Sequence, residues 1–121
     1  MNFKESRPIY LQIADRIMDE IQRGVYPEGG RIPSVREYAA IVEVNANTAM
    51  RSYDYLQNKG IIYNKRGIGY FVAEGAAREV LELRRAEFLN EELPEMLGKI
   101  RALGIPFEEI EKRYNAGVAG G

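Results

Sequence analysis

The sequence predicts a mainly α fold with one small β-hairpin. Two helix starts with capping side chains lie close together, at Ser34 and at Asn45. A pair of β-prone segments, 61–63 and 70–72, follows around a basic, glycine-bearing tip. Behind an amphipathic first helix, these features give the layout of an N-terminal winged helix-turn-helix over residues 1–73. Residues 74–121 are rich in helix formers and read as a short α-helical C-terminal dimerisation segment.

Taken in order, residues 1–6 form a polar arm, and Pro8 stands where a first helical turn tolerates a missing N–H. Ile9, Ile13, Ile17 and Ile21 repeat every four residues with Ala14 and Met18 beside them, the pattern of an amphipathic helix. Asp15, Arg16, Asp19, Glu20 and Arg23 are expected on its wet side. Gly24 stops the helix, and Tyr26-Pro27-Glu28-Gly29-Gly30 is a turn-rich loop. The second helix begins at Ser34-Val35-Arg36-Glu37. This is a capping box: the serine hydroxyl and the glutamate carboxylate each satisfy a backbone donor at the helix start. Tyr38, Ala39 and Val42 make its inner face. Asn45 caps a third helix that runs to Asn58 and stops at Gly60. Its inner stripe is Ala49, Ser52, Tyr53 and Leu56; the outer stripe is Asn47, Met50, Arg51 and Asp54. Asn64-Lys65-Arg66-Gly67-Ile68-Gly69 then closes the hairpin.

In the second segment Leu81 and Phe88 form one apolar stripe; Leu89, Leu93, Leu97 and Ile100 form another. Pro94 lacks a helix donor and crowds the preceding turn, so a kink or interruption is expected there. Gly104 ends this piece. Pro106 opens a last helix with Phe107, Ile110 and Tyr114 inward, and 118–121 reads as a frayed tail.

Composition narrows the chemistry. The chain has no histidine and no cysteine, which excludes zinc sites built on them, disulfides, thiol nucleophiles and Ser-His-Asp catalysis. No cofactor is implied, and the runs Glu91-Glu92-Leu93-Pro94-Glu95 and Glu108-Glu109-Ile110-Glu111 read as solvated helix faces. Apolar runs are too short for a membrane span or a signal-peptide core, so the expected setting is the cytoplasm. The net charge of −1 is unevenly spread. Residues 1–73 hold ten Lys/Arg against eight Asp/Glu, and residues 74–121 hold seven against ten. Phosphate contact depends on where the cations stand, not on the total.

Several phrases, in order, carry a resemblance: Pro8-Ile9-Tyr10-Leu11-Gln12-Ile13, Gly24-Val25-Tyr26, Pro33-Ser34-Val35-Arg36-Glu37, Asn45-Ala46-Asn47-Thr48 and Lys65-Arg66-Gly67-Ile68-Gly69-Tyr70-Phe71-Val72. The chain resembles the GntR family of bacterial transcription regulators over residues 8–73, and its short helical C-terminal part resembles the YtrA-like branch. The resemblance implies a double-stranded DNA operator as partner, and members of that branch often regulate ABC-transporter operons. It departs from the pattern at Ile32 and Tyr38, where Leu is more frequent, at Ala46, where Pro is usual, and at Tyr70, where Thr is usual. Other branches carry arginine at the positions of Ala46 and Met50, so base preference differs here.

Ser34 and Arg36 at the second helix start, and Asn47, Thr48 and Arg51 on the third helix, are the expected DNA-contacting set. Asn and Arg can each make bidentate bonds to base edges in the major groove. For Thr48 a purely local bond at the helix start competes with that role, and Arg51 has Asp54 and Glu37 as alternative partners. Lys65, Arg66 and Gly67 at the wing tip are expected to meet phosphates or the minor groove. Tyr10 and Gln12 from the first helix, and Arg31, are expected at the phosphate backbone, with simple packing as the alternative for Tyr10.

A tail of three short helices can scarcely bury Leu81, Phe88, Leu89, Leu93, Leu97 and Ile100 against itself, so a homodimer is expected. Any small-molecule effector is expected at a domain or dimer junction. The whole reads as a non-enzymatic regulator, with repression of a pseudo-palindromic operator as the favoured activity. The competing reading is a winged-helix module that docks a protein through its wing or third helix without reading DNA.

Overall fold

The computed structural model describes residues 7–117; the expected polar arm and frayed tail lie outside them. The first helix, α1 (Ile9–Gln22), begins at Pro8, whose carbonyl accepts from the N–H groups of Leu11 and Gln12 at 3.1 Å. Ile13, Ala14, Ile17, Met18 and Ile21 are buried as their spacing requires. Ile9 is not: it lies on the first turn, beyond the edge of the core, and is exposed. Two of the expected wet residues are corrected as well. Asp15 is buried, because Arg7 places its guanidinium 3.4 Å from the carboxylate and so lets the charge leave water with its counter-charge. Glu20 is half-buried and accepts the Tyr38 hydroxyl at 2.8 Å.

Helix α2 (Val35–Val42) and helix α3 (Ala46–Asn58) are joined by a three-residue turn. Its first residue, Glu43, adopts φ 59°, the left-handed conformation that lets a helix end abruptly, and the Val44 N–H returns to the Ala39 carbonyl at 3.0 Å. Between these helices and the hairpin lies a tyrosine cluster. Tyr38 and Tyr53 are fully buried with centroids 6.3 Å apart, and Tyr70 meets Tyr53 edge-on at 5.0 Å. The Tyr53 hydroxyl donates to the Pro33 carbonyl at 2.6 Å, which ties α3 to the residue before the α2 cap. Tyr38 and Tyr70, two departures from the family pattern, thus pack against the same ring.

The end of α3 aims the hairpin. Gly60, at φ 75°, donates to the Gln57 carbonyl while Ile61 donates to the Leu56 carbonyl, both at 3.0 Å. This is a Schellman ending, and the positive φ it needs is available to glycine without strain. Leu56 and Ile61 are both fully buried beside it. Strand β1 (Ile62–Lys65) then pairs antiparallel with β2 (Gly69–Val72), Ile62 opposite Val72 and Lys65 opposite Gly69. The end of the turn-rich loop at 26–30, with Arg31 and Ile32 after it, lies along β2 through an isolated bridge. Gly29 and Ile32 donate to Val72 and Tyr70, and Val72 donates back to Gly30, with Arg31 bridged to Phe71.

Helix α4 (Ala76–Glu87) starts at Gly75, whose N–H is held by the Glu28 carboxylate at 2.8 Å, with Ala76 and Val80 fully buried. By compactness the chain divides inside this helix, into Met1–Glu82 and Leu83–Gly121. Ala76 and Val80 therefore belong to the first unit, although the sequence reading starts its second segment at residue 74.

In the second unit a π-helical turn (Phe88–Glu92) leads into α5 (Leu93–Ala102), and α6 (Phe107–Gly117) follows. The wide turn is the interruption expected from Pro94. The Leu93 N–H reaches back to the Phe88 carbonyl, and Pro94 falls in the first turn of α5, where a missing donor costs nothing. No described residue of this unit is buried. Phe88, Leu89 and Leu97 are exposed, as is Leu81 in the first unit, while Leu93 and Ile100 are half-covered. Phe107 and Tyr114, expected to turn inward, are 69% and 73% exposed; of that set only Ile110 is partly covered. The apolar stripe exists, but three short helices offer it too little opposing surface.

Candidate nucleic-acid interface

The two helix starts expected to face a phosphate-rich partner each carry a side-chain cap, which takes the N–H of the third helical residue and leaves those of the first two. At α2 the Ser34 hydroxyl accepts from the Glu37 N–H at 3.1 Å, and the Glu37 carboxylate accepts from the Ser34 N–H at 2.8 Å. The Ser34 backbone N–H first, and the Ser34 hydroxyl second, hold the Glu37 carboxyl below its ordinary range, with a smaller contribution from the charge of Arg31. Arg36, the second residue of α2, is exposed. At α3 the Asn45 carboxamide accepts from the Thr48 N–H at 2.9 Å and from the Thr48 hydroxyl at 3.1 Å. The local bond at Thr48 is therefore made, which leaves its hydroxyl oxygen an acceptor only. Asn47 stands exposed on the same turn.

Arg51 takes neither of its expected acidic partners as its nearest neighbour. Its guanidinium carbon lies 4.2 Å from the centroid of the Tyr10 ring, a cation–π stack between α3 and α1. Beneath it, the buried Ser52 donates its hydroxyl to the Tyr10 carbonyl at 2.7 Å. Gln12, expected at phosphate, donates its side-chain amide to the Arg7 carbonyl at 2.8 Å.

On the hairpin, Lys65 is a strand residue rather than a tip residue. It pairs with Gly69, and its ammonium lies 5.4 Å from the Phe71 ring, which itself stacks on Tyr63 at 5.8 Å. The turn proper is Arg66-Gly67-Ile68, closed by the Ile68 N–H on the Lys65 carbonyl at 2.8 Å, and all three are exposed. Arg31 is bridged to Phe71, and its guanidinium reaches Gly69 at the turn end of the wing. A Cβ at Gly69 would come within 2.9 Å of its Nε, so this glycine is what lets the arginine lie flat on the strand.

Of the expected residues, Tyr10 and Arg51 form a built pair and Arg31 lies against Gly69, while Arg36, Asn47 and Arg66 project into solvent. Ser52 and Phe71, which seat Tyr10 and Lys65, are not among the contact residues expected from the sequence. Ser52 shows there only as an inner-face residue, because its bond partner is 42 positions away. Among the described residues no group of three metal-ligating side chains converges, and no helix is long and apolar enough to cross a membrane.

Residues 9–72 match the family profile described as "Bacterial regulatory proteins, gntR family". The HTH-type transcriptional regulator YhcF of Bacillus subtilis is 36% identical, the match covering 98% of this chain and 97% of YhcF. The HTH-type transcriptional repressor YtrA of the same organism is 31% identical over 98% of this chain and 92% of its own. A crystal structure described as a transcriptional regulator of the GntR family from Bacteroides thetaiotaomicron superposes with a TM-score of 0.83 at 55% identity, covering 93% of this chain and 97% of that one.

Proposed function

Because the chain belongs to the gntR family of bacterial regulatory proteins, we propose that it represses transcription by binding a pseudo-palindromic operator as a homodimer. The observation that carries this reading is the pair of capped helix starts, Ser34–Glu37 and Asn45–Thr48, with Arg36, Asn47 and Arg51 around them. A helix start attracts phosphate through its free N–H groups, and Arg and Asn have the donor geometry that distinguishes guanine and adenine. Arg31, Lys65 and Arg66 add cations along the wing, suited to the flanking backbone.

Repression is supported by the likeness to a repressor over nearly the whole chain. The same branch likeness supports a transporter operon as the target and the bacterial cytoplasm as the setting. A dimer through Leu81, Phe88, Leu89, Leu93, Leu97 and Ile100 is supported by the second unit, which buries no described residue by itself. Two-fold symmetry would then space the two α3 helices by about 34 Å, one turn of DNA.

Fluorescence anisotropy of the full chain on the DNA upstream of its own gene, against scrambled DNA over a salt series, tests the reading. Tight binding to the upstream DNA alone, weakening steeply with salt and lost in the Arg36→Ala/Arg51→Ala double variant, is expected. Absence of binding to any DNA at low salt would favour the protein-docking alternative.

A further inference from the structure

Arg51 is exposed, yet its position is not left to its own rotamers. The Tyr10 ring beneath it comes from another helix, and that ring is placed by a buried bond. Ser52, next to Arg51 in sequence and fully buried, donates to the Tyr10 carbonyl at 2.7 Å. The first turn of α1 is thereby fixed on α3, and the Tyr10 ring comes to lie 4.2 Å from the Arg51 guanidinium. With Asp54, Tyr55 and Asn58 the pair lines an open groove of about 230 Å³ along α3.

An unrestrained arginine samples phosphates and base edges alike, since its stem is long and flexible. A ring lying against the guanidinium restrains its orientation and leaves N–H donors unobstructed. A fork held in one orientation matches the paired O6 and N7 acceptors of guanine. A phosphate oxygen asks for no such orientation.

Resting on the DNA-binding reading above, we propose that Tyr10 is a positioning residue for Arg51: its ring sets the guanidinium for guanine recognition, and Tyr10 makes no sequence-dependent contact of its own. Tyr10 then acts on which base is chosen and not on how strongly DNA in general is held. Its hydroxyl is dispensable for this and its ring is not.

The test starts with the full chain and a random-sequence duplex library. Failure of the wild-type protein to enrich any duplex would overturn the DNA-binding reading and this inference with it. On the enriched duplex each base pair is varied in turn, with affinities read by anisotropy for wild type, Arg51→Ala, Tyr10→Phe and Tyr10→Leu. At the guanine where Arg51→Ala removes discrimination of about tenfold, Tyr10→Leu is expected to remove a similar share. Tyr10→Phe is expected to keep it within about twofold. Affinity for scrambled duplex should not move in either Tyr10 variant. The double variant should discriminate no worse than Arg51→Ala alone.

Three results would overturn the proposal. One is Tyr10→Leu weakening enriched and scrambled duplexes equally. Another is Tyr10→Phe losing as much as Tyr10→Leu, which would assign a phosphate contact to the hydroxyl. The third is Arg51→Ala leaving every guanine preference intact. A measurement independent of DNA is the ring-current shift of the Arg51 side-chain protons in the free protein. It is expected in wild type and Tyr10→Phe, and its absence from both would also overturn the stack.

Discussion

Tyr53→Phe isolates the bond that holds the α2 start against α3. The ring is fully buried and remains, so no cavity larger than the hydroxyl is opened. What is lost is one short bond, 2.6 Å from the hydroxyl to the Pro33 carbonyl. A neutral hydrogen bond contributes about 0.5–1.5 kcal/mol, and a buried carbonyl left without its donor adds a further penalty of about 1–3 kcal/mol. Pro33 is half-buried, so water recovers part of that penalty, and a net loss of about 1–2 kcal/mol is expected. Tyr70→Phe is the control: it keeps the edge-on contact with Tyr53 at 5.0 Å and should fall within about 0.5 kcal/mol of wild type. Urea unfolding at fixed protein concentration reads both, as a shift in midpoint at constant slope. Amide exchange should speed up first at Arg36, Glu37 and Tyr38, because local opening now begins where the bond was removed. Equal midpoints for the two variants would refute the reasoning, as would faster exchange spread evenly over α1.

Alkaline pH should destabilise the fold in a defined direction. Burial first, and then the bond to Glu20 for Tyr38 and the neighbouring phenols for Tyr53, push both tyrosines well above their ordinary range. Above about pH 10 the unfolded phenols ionise while the folded ones stay neutral, so stability should fall by about 1.4 kcal/mol per pH unit for each, less by one such share in Tyr53→Phe. Glu43→Gly relieves a left-handed conformation at φ 59° and should raise stability by about 0.5–1 kcal/mol; a lower melting temperature would count against it. Gly69→Ala meets both φ 147° and the Arg31 guanidinium, and should cost about 1–2 kcal/mol, with less than additive loss when combined with Arg31→Ala in a double-variant cycle. Leu93→Asp should convert a dimer to a monomer in sedimentation and abolish operator binding with it; an unchanged sedimentation profile would sink the dimer assignment.

What the sequence discloses here is mostly local. The Ser34–Glu37 box, the Asn45 cap, the Gly60 stop and the hairpin all depend on residues within a few positions of one another, and each forms as its pattern requires, the hairpin with strands that reach further into its tip, to Lys65 and Gly69. The readings that needed correction depend on distant partners. Asp15 looks solvated by its helical position until Arg7 folds back on it, and Glu20 does so until Tyr38 reaches it across the core. Gly29 and Gly30 read as part of a turn-rich loop because their strand partner, Val72, lies some forty positions on. The same limit applies at the interface. Arg51 and Tyr10 are each visible as candidates, but their stack arises from the packing of α1 on α3, which spacing along either helix does not disclose. In the second unit the apolar stripes are legible and what covers them is not, since Phe107 and Tyr114 find no cover among the described residues.

The uneven placement of buried residues bears on how such a protein is controlled. Every buried residue among those described belongs to the first unit, whose helix starts are tied internally by Tyr53 to Pro33, Ser52 to Tyr10 and Asn45 to Thr48. The surface that the first unit would offer to one half-site of the proposed operator is therefore set before any second copy arrives. The second unit has no such core, so in the proposed dimer its folding and its association are one equilibrium, dependent on protein concentration. A change at that interface would alter the spacing of two preformed surfaces and leave the shape of each intact. Its effect should fall on affinity for the full operator, with the base preference of each half-site preserved. In the proposed dimer, base preference and operator affinity would then be separable, the first set by the Tyr10–Arg51–Ser52 packing and the second by the apolar residues expected at the dimer contact.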